Sequence, residues 1–114
     1  MGLDQYVYFV AKQDAFPKDE VRVEDMYFRK NRHLQGYMDK LWQQKGHEDE
    51  FNCKDLVVDE EDILNIEKEN LPDAYGFFWG ERELEDDWTE IEKFKERALG
   101  AIKEGKTVIY TCWW

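Results

Sequence analysis

An amphipathic helical pattern between Arg29 and Lys45 constrains the fold more than any other part of this sequence. Its apolar residues recur at spacings of three and four, so they share one face of an α-helix. These residues are Leu34, Tyr37, Met38, Leu41 and Trp42. The pattern predicts a helix from Arg29 or Lys30 to Gln44, with Gly46 at the position that follows the C-cap.

The same segment is the only basic island in an acidic chain. It has five Lys or Arg residues and one Asp, a local charge of +4, so the other 97 residues must carry −15 of the total of −11. This balance argues against general or direct nucleic-acid binding, because phosphate binding needs a positive surface. It is compatible with docking onto a basic partner protein.

Four strands and two further helices complete the predicted fold. The strands are Gln5 to Lys12, Val21 to Phe28, Asn52 to Val58 and Thr107 to Trp114. The helices are Glu60 to Asn70, capped by Asp59, and one that begins near Asp86 or Asp87, either of which can cap it, and ends before Gly105. This order predicts a single α+β domain. We expect a small, mainly antiparallel sheet of three or four strands, with the first and last strands paired and about three helices packed mainly on one face.

Little in the sequence indicates catalysis. The chain has no serine, no phosphate-binding glycine loop and no CxxC motif. Cys53 and Cys112 lie in strand-like stretches and are expected to be reduced thiols. We therefore expect no catalytic residue, no metal and no cofactor, and a protein that is not an enzyme. No apolar run reaches the ~20 residues of a membrane helix, so a cytoplasmic location without membrane contact is expected.

Two segments are candidate sites. The first turn of the central helix, with Arg29, Lys30, Asn31, Arg32 and His33, could hold an anion, because backbone donors and cationic side chains add at a helix N-terminus. The alternative is that these cations offset acids within the protein and that His33 is a partly buried hydrogen-bonding residue. The second candidate, for partner binding, comprises Phe77, Phe78, Trp79, Glu81, Glu83, Glu85, Asp86 and Asp87. Its alternative is that the aromatic rings fill the core.

Three short motifs carry a resemblance to a known family. They are Met1 to Tyr6 (MGLDQY), Tyr27 to Asn31 (YFRKN) followed by His33, and Gly76 to Gly80 (GFFWG). Together they resemble a family of small acidic proteins encoded by bacteriophages and prophages. Family members often have Trp where this chain has Phe28, and a longer spacing to the histidine. The family has no established activity to carry over.

The leading functional hypothesis is therefore a phage-type accessory protein that binds a host protein through an acidic, aromatic-containing surface, as an inhibitor or a nucleic-acid mimic. The alternative is a small-ligand or phosphate-binding domain, with or without enzymatic activity, centred on the first turn of the central helix. The chain is expected to be a monomer, or a homodimer whose aromatic residues form the interface.

Overall fold

The computed structural model describes residues 2–11, 25–72 and 82–114. Four strands, β1 to β4, form one sheet, and three α-helices, α1 to α3, accompany it, together with a short 3₁₀ turn. In chain order the elements are β1 Asp4–Ala11, β2 Met26–Arg29, α1 Arg32–Gln44, β3 Asp55–Val58, α2 Glu60–Leu64, the 3₁₀ turn Lys68–Asn70, α3 Leu84–Lys103 and β4 Lys106–Trp113. The predicted α+β class is confirmed.

The sheet has the strand order β2-β1-β4-β3, and every neighbouring pair is antiparallel. β1 and β4 pair over their whole length, from Asp4 opposite Trp113 to Ala11 opposite Lys106. The predicted pairing of the first and last strands is therefore confirmed. It places β1 and β4 at the centre of the sheet, where each has a neighbour on both sides.

Side chains alternate between two faces of this sheet, as strand geometry requires. The inner face carries Val7, Phe28, Leu56 and Tyr110, all of them buried in the core. Helix α1 contacts this face through Gln35, which bonds to Tyr110, and α3 contacts it through an edge-to-face packing of the Phe94 and Phe28 rings. The helices therefore pack on the inner face, as predicted.

The outer face carries the other half of the alternation. Its members include Asp4, Tyr6, Tyr27, Ile109 and Trp113. Tyr27 and Trp113 are 47% and 59% exposed. Large aromatic residues thus remain in contact with water on the side of the sheet that faces away from the helices.

Helix α1 begins later than its pattern predicts and ends as expected. Arg29 still belongs to β2, and Lys30 has a φ of +57°, which is incompatible with a helix. Asn31 is the N-cap, because its side chain accepts a hydrogen bond from the Leu34 amide. At the other end Gly46 adopts a φ of +93° and completes a Schellman motif: its amide bonds to the Gln43 carbonyl, and the His47 amide bonds to the Trp42 carbonyl.

The second predicted helix is correct at its start and wrong in its length. Asp59 caps α2 through a reciprocal capping box with Asp62. The helix stops at Leu64, and only the separate 3₁₀ turn Lys68–Asn70 follows.

The third helix starts at Leu84 with Glu83 as N-cap residue, so the expectation that Asp86 or Asp87 caps it is wrong. The expectation that Cys53 lies in a strand is also wrong, since its φ is +58° and β3 begins at Asp55. Most of the second predicted strand and the aromatic segment from Phe77 to Trp79 fall outside the described residues.

Candidate functional site

The first turn of α1, predicted to bind an anion, divides into two parts. Asn31, Arg32 and His33 are buried, whereas Arg29 is exposed and Lys30 is half-buried. The buried part contacts the first turn of α3, which packs beside it.

Asp87 projects from α3 into this junction and is completely buried. Its Oδ2 lies 2.7 Å from His33 Nδ1 and accepts a longer bond of 3.4 Å from the His33 amide. Within the described residues its Oδ1 has no partner in hydrogen-bonding geometry. This oxygen nevertheless lies 3.2 Å from Arg82 Nε, so the positive charge of Arg82 stabilises it although the angle is poor for a hydrogen bond. A carboxylate of the protein itself therefore sits at the N-terminus of α1.

Further bonds fasten the same junction. Arg82 Nη1 pairs with Glu90 Oε1 at 2.8 Å, and the same oxygen accepts from Asn31 Nδ2 at 3.0 Å. Asn31 Nδ2 also donates to the Asp87 carbonyl, and Arg32 Nε donates to the Arg82 carbonyl at 3.0 Å. Arg32 and His33 thus bond to a carbonyl and a carboxylate of the protein itself, which the alternative interpretation expects for these two residues, whereas Arg29 and Lys30 lie nearer the surface. Anion binding at this turn stays a prediction that the geometry does not favour.

A second set of hydrogen bonds between polar side chains runs through the core beneath the sheet. Gln5 donates to the Asn31 carbonyl at 2.9 Å and to the Tyr110 hydroxyl at 2.7 Å, and it accepts from the Asn31 amide at 2.8 Å. Tyr110 donates in turn to Gln35 Oε1 at 2.6 Å, and Gln35 Nε2 lies 3.2 Å from Cys112 Sγ. Each of these buried groups has a partner, which is the condition for a polar network to stabilise a core.

Cys112 is the last member of this hydrogen-bonded series, and its thiol is unreactive. Its Sγ donates to the Phe51 carbonyl at 3.3 Å, and burial raises its pKa to about 12. A nucleophilic cysteine needs a lowered pKa and access to solvent. Burial and the raised pKa therefore make Cys112 a structural thiol.

A surface cavity of about 700 Å³ opens where α1 ends, and we name it the acidic cleft. It is lined by Asp39, Gln43, His47, Glu48, Asp49, Glu50, Phe51 and Trp114. Four carboxylates thus surround an opening that has two aromatic rings in its wall. Burial raises the pKa of Asp39, and the negative charge of Glu50 raises it further. The cleft is consequently a place where an added positive charge is favourable.

An aromatic stack holds the cleft in shape. The His47 ring lies on Trp42 with a centroid distance of 3.7 Å, and Trp42 lies on Phe51 at 4.9 Å, with interplanar angles of 10° and 15°. Trp42 Nε1 also donates to the Asp49 carbonyl at 2.8 Å. The acidic loop from His47 to Glu50 is therefore held against α1 by these contacts.

A smaller cavity of about 180 Å³ adjoins the cleft, and we name it the indole cavity. Gly2, Asp4, Trp113 and Trp114 line it, so the two cavities share Trp114. The backbone of Trp114 is clamped by Asn52, which donates to its carbonyl at 2.7 Å and accepts from its amide at 3.0 Å. Its indole N–H donates to the Phe51 carbonyl.

Asp4 lines the indole cavity and is held in place by Tyr27, whose hydroxyl donates to Asp4 Oδ1. This hydrogen bond, together with partial burial and the negative charge of Asp4, raises the pKa of Tyr27 to about 12. The phenol therefore stays protonated and continues to donate throughout the neutral range.

The predicted partner-binding residues lie in different surroundings. Phe77, Phe78, Trp79 and Glu81 are outside the described residues. Glu83, Glu85 and Asp86 are exposed at the start of α3, and Glu85 forms an ion pair with Lys68. Asp87 is buried against His33, so its carboxylate is turned away from solvent.

Sequence reasoning did not identify the acidic cleft. The acidic loop after α1 and the final tryptophans were each visible, but more than 60 positions separate Phe51 from Trp114, and their contact depends on the sheet. The one usable signal was the alternation of β4, which puts Trp114 on the inner face with Cys112.

Further comparisons add no assignment. No family model, no curated protein and no solved structure matches this chain. Among residues 2–11, 25–72 and 82–114, no cluster of three or more His, Cys, Asp or Glu side chains is arranged to hold a metal ion. Within those residues no helix combines the length and apolar character required to cross a membrane.

Proposed function

We propose that this chain is a small acidic accessory protein, of the kind that bacteriophages encode, which binds a host protein in the bacterial cytoplasm through a basic patch on that partner. The observation that carries the proposal is the acidic cleft, which combines four carboxylates with the rings of Phe51 and Trp114. Aromatic side chains beside charge are typical of protein-binding surfaces.

The electrostatics of the cleft supply the driving force. Burial, and secondly repulsion from the charge of Glu50, raise the pKa of Asp39 and so destabilise its charged form. A lysine or arginine of the partner would relieve this repulsion. The net charge of −11 would also speed the encounter with a basic surface.

The proposed surface differs in position from the one that the sequence suggested. The exposed acids at the start of α3 do not line the cleft. They add to the negative electrostatic potential of the protein but form no part of this cavity. The cleft offers both charge and an apolar wall, and it is held rigid by the stack of His47, Trp42 and Phe51. A preformed surface loses less entropy on binding.

Four neutral substitutions in the cleft test the proposal: Asp39→Asn, Glu48→Gln, Asp49→Asn and Glu50→Gln. A matched control removes the same number of charges from exposed acids elsewhere, with Glu67→Gln, Glu69→Gln, Glu92→Gln and Glu96→Gln. Proteins captured from bacterial lysate by the unmodified chain are identified by mass spectrometry, and binding of the purified partner is then measured by calorimetry.

The expected result is a loss of affinity of at least tenfold in the cleft variant and of less than threefold in the control. Affinity should also fall as the salt concentration rises, because screening weakens charge-steered docking. Equal losses in both variants, or an affinity indifferent to salt, would contradict the proposal. Self-association in sedimentation experiments, with no captured partner, would favour the homodimer instead.

A further inference from the structure

We infer that the indole cavity is a lysine-binding subsite, which receives the ammonium group of one lysine side chain presented by a basic partner. This inference rests on the proposed function and names the chemical group that its surface recognises. Three properties of the cavity carry it: a carboxylate and two indole rings in its lining, and a volume that suits a single side chain.

The carboxylate comes from Asp4. Its Oδ1 accepts the hydrogen bond of the Tyr27 hydroxyl, which fixes the orientation of the group. An arginine binds a carboxylate best when its planar fork engages both oxygens. Because Tyr27 already occupies one of the two acceptor positions of Oδ1, a guanidinium fork would have to share that oxygen with the phenol. An ammonium group needs only one oxygen, so the geometry favours lysine over arginine.

The aromatic wall comes from Trp113 and Trp114. Tryptophan is the aromatic residue that attracts cations most strongly. Trp114 is anchored by Asn52 and Phe51, whereas Trp113 is 59% exposed and lies beside Asp4 in the strand pairing. One fixed ring and one accessible ring therefore stand next to the carboxylate.

The volume of the cavity also fits the proposed group. A water molecule takes up about 30 Å³ in the liquid, so a cavity of about 180 Å³ has room for roughly six groups of that size. A lysine side chain has four carbons and one nitrogen. The cavity thus accommodates the stem and its ammonium group, and the rest of the partner segment would continue over Trp114 towards the acidic cleft.

Among the described residues, Arg29 is a neighbouring cation that opposes this binding. It lies directly opposite Asp4 in the pairing of β1 with β2, and on the same outer face. The described residues include no ion pair between the side chains of Asp4 and Arg29 within 4.0 Å. The positive charge of Arg29 should nevertheless weaken the binding of a cationic ligand. Removing that charge should therefore strengthen lysine binding, whereas removing the charge of Asp4 should weaken it.

The experiment uses small probes and ¹⁵N-labelled protein. The probes are N-acetyl-lysine methylamide, its uncharged counterpart N-acetyl-norleucine methylamide, and N-acetyl-arginine methylamide. The indole N–H resonances of Trp113 and Trp114 are followed during titration. We expect the lysine probe to shift them saturably, with half-saturation at roughly 1–10 mM, the norleucine probe to leave them unchanged, and the arginine probe to bind at least twofold more weakly.

Variants locate the site. Asp4→Asn and Trp113→Ala should each weaken lysine binding at least tenfold, Arg29→Gln should strengthen it about twofold, and the four-substitution cleft variant should change it less than threefold. Because Trp113 is mostly exposed, its alanine variant keeps the test valid if Asp4→Asn fails to fold. Shifts that are equal for lysine and norleucine, or unaltered in both Asp4→Asn and Trp113→Ala, would overturn the inference, and stronger binding of arginine would overturn the choice of lysine.

The outcomes separate this inference from the proposed function. If the lysine probe binds at the indole cavity but no basic protein binds the chain, the proposed function fails and the subsite stands. If a basic protein binds through the acidic cleft while the lysine probe leaves both tryptophans unshifted, the function stands and the subsite fails.

Discussion

The buried carboxylate of Asp87 lies 2.7 Å from Nδ1 of the buried imidazole of His33, and this contact joins the first turn of α3 to the first turn of α1. Arg82 stands on the other side of the carboxylate, at 3.2 Å from Oδ1. A histidine that follows a helix N-cap and an acid in the first turn of another helix are each ordinary in a sequence. Their pairing is what converts two candidate sites on two segments into one structural joint.

Loss of the Asp87 charge should strongly destabilise the protein. The substitution Asp87→Asn removes the buried negative charge, so Arg82 and His33 are left facing a neutral amide. Removing one member of a buried pair typically costs about 3–5 kcal/mol. The measurement is urea unfolding followed by circular dichroism, which should show a lower midpoint with an unchanged slope.

The neighbouring substitution Asp86→Asn is the matched control for that experiment. Asp86 is exposed on the same helical turn, so its effect on the free energy of unfolding should lie within about 0.5 kcal/mol. Similar losses in the two variants would show that the joint between His33 and Asp87 does not stabilise the fold.

The hydroxyl of Tyr110 should matter because two buried amide side chains depend on it. In Tyr110→Phe the ring stays in the core, but Gln5 Nε2 and Gln35 Oε1 each lose a partner. Leaving a buried polar group unsatisfied costs about 1–3 kcal/mol. Thermal and urea unfolding should therefore show a loss of that size, while Tyr27→Phe, which removes an exposed hydroxyl, should cost less than about 1 kcal/mol. Equal effects would mean that water replaces the lost partner in the core.

Periodicity predicted the central elements well, because each has a strong local signal. Strands β1 and β4 begin and end within one residue of their predicted bounds, and the apolar stripe of α1 faces the core. The capping box at Asp59 is equally local, since its partner is three residues away. In these cases the physical cause of the structure lies within the segment itself.

The failures share a different cause. An acid near the start of a helix looks the same in sequence whether it caps that helix or pairs with a distant group, and Asp87 does the latter. The acidic cleft and the indole cavity depend on Trp114, whose neighbours Phe51 and Asn52 lie on a loop far away in the chain. Such contacts follow from the sheet order, which a single sequence predicts only in part.

Two glycines should respond to alanine with opposite signs. Gly46 has a φ of +93° after α1, and a Cβ there would meet nothing within 4 Å, so only the backbone strain counts. Gly46→Ala should destabilise the protein by about 1 kcal/mol. Gly100 lies within α3, also with open space around a Cβ, and Gly100→Ala should stabilise by about 0.5–1 kcal/mol through helix propensity. Urea unfolding of both variants checks the pair, and the same sign for both would contradict the assigned backbone conformations.

Alkaline pH should weaken the fold through Cys112. Burial raises the pKa of this thiol from 9.0 to about 12 in the folded protein, whereas the unfolded chain titrates near the ordinary value. The thiol therefore contributes its full stability below pH ~9, and this contribution is lost as the pH rises towards ~12, because only the unfolded chain releases the proton in that range. One such group lowers the free energy of unfolding by about 1.4 kcal/mol per pH unit.

The measurement is the urea midpoint between pH 8 and roughly 10, before the ordinary tyrosine titration begins to dominate. Cys112→Ala should be less stable at neutral pH, because it leaves a small cavity, but its stability should fall less steeply with pH over this interval. Cys53→Ala is the control, since Cys53 is exposed and its removal should leave the slope unchanged. Native thiol labelling should give the same order, with Cys53 reacting quickly and Cys112 only after unfolding. Rapid labelling of Cys112 in the native protein would contradict its burial.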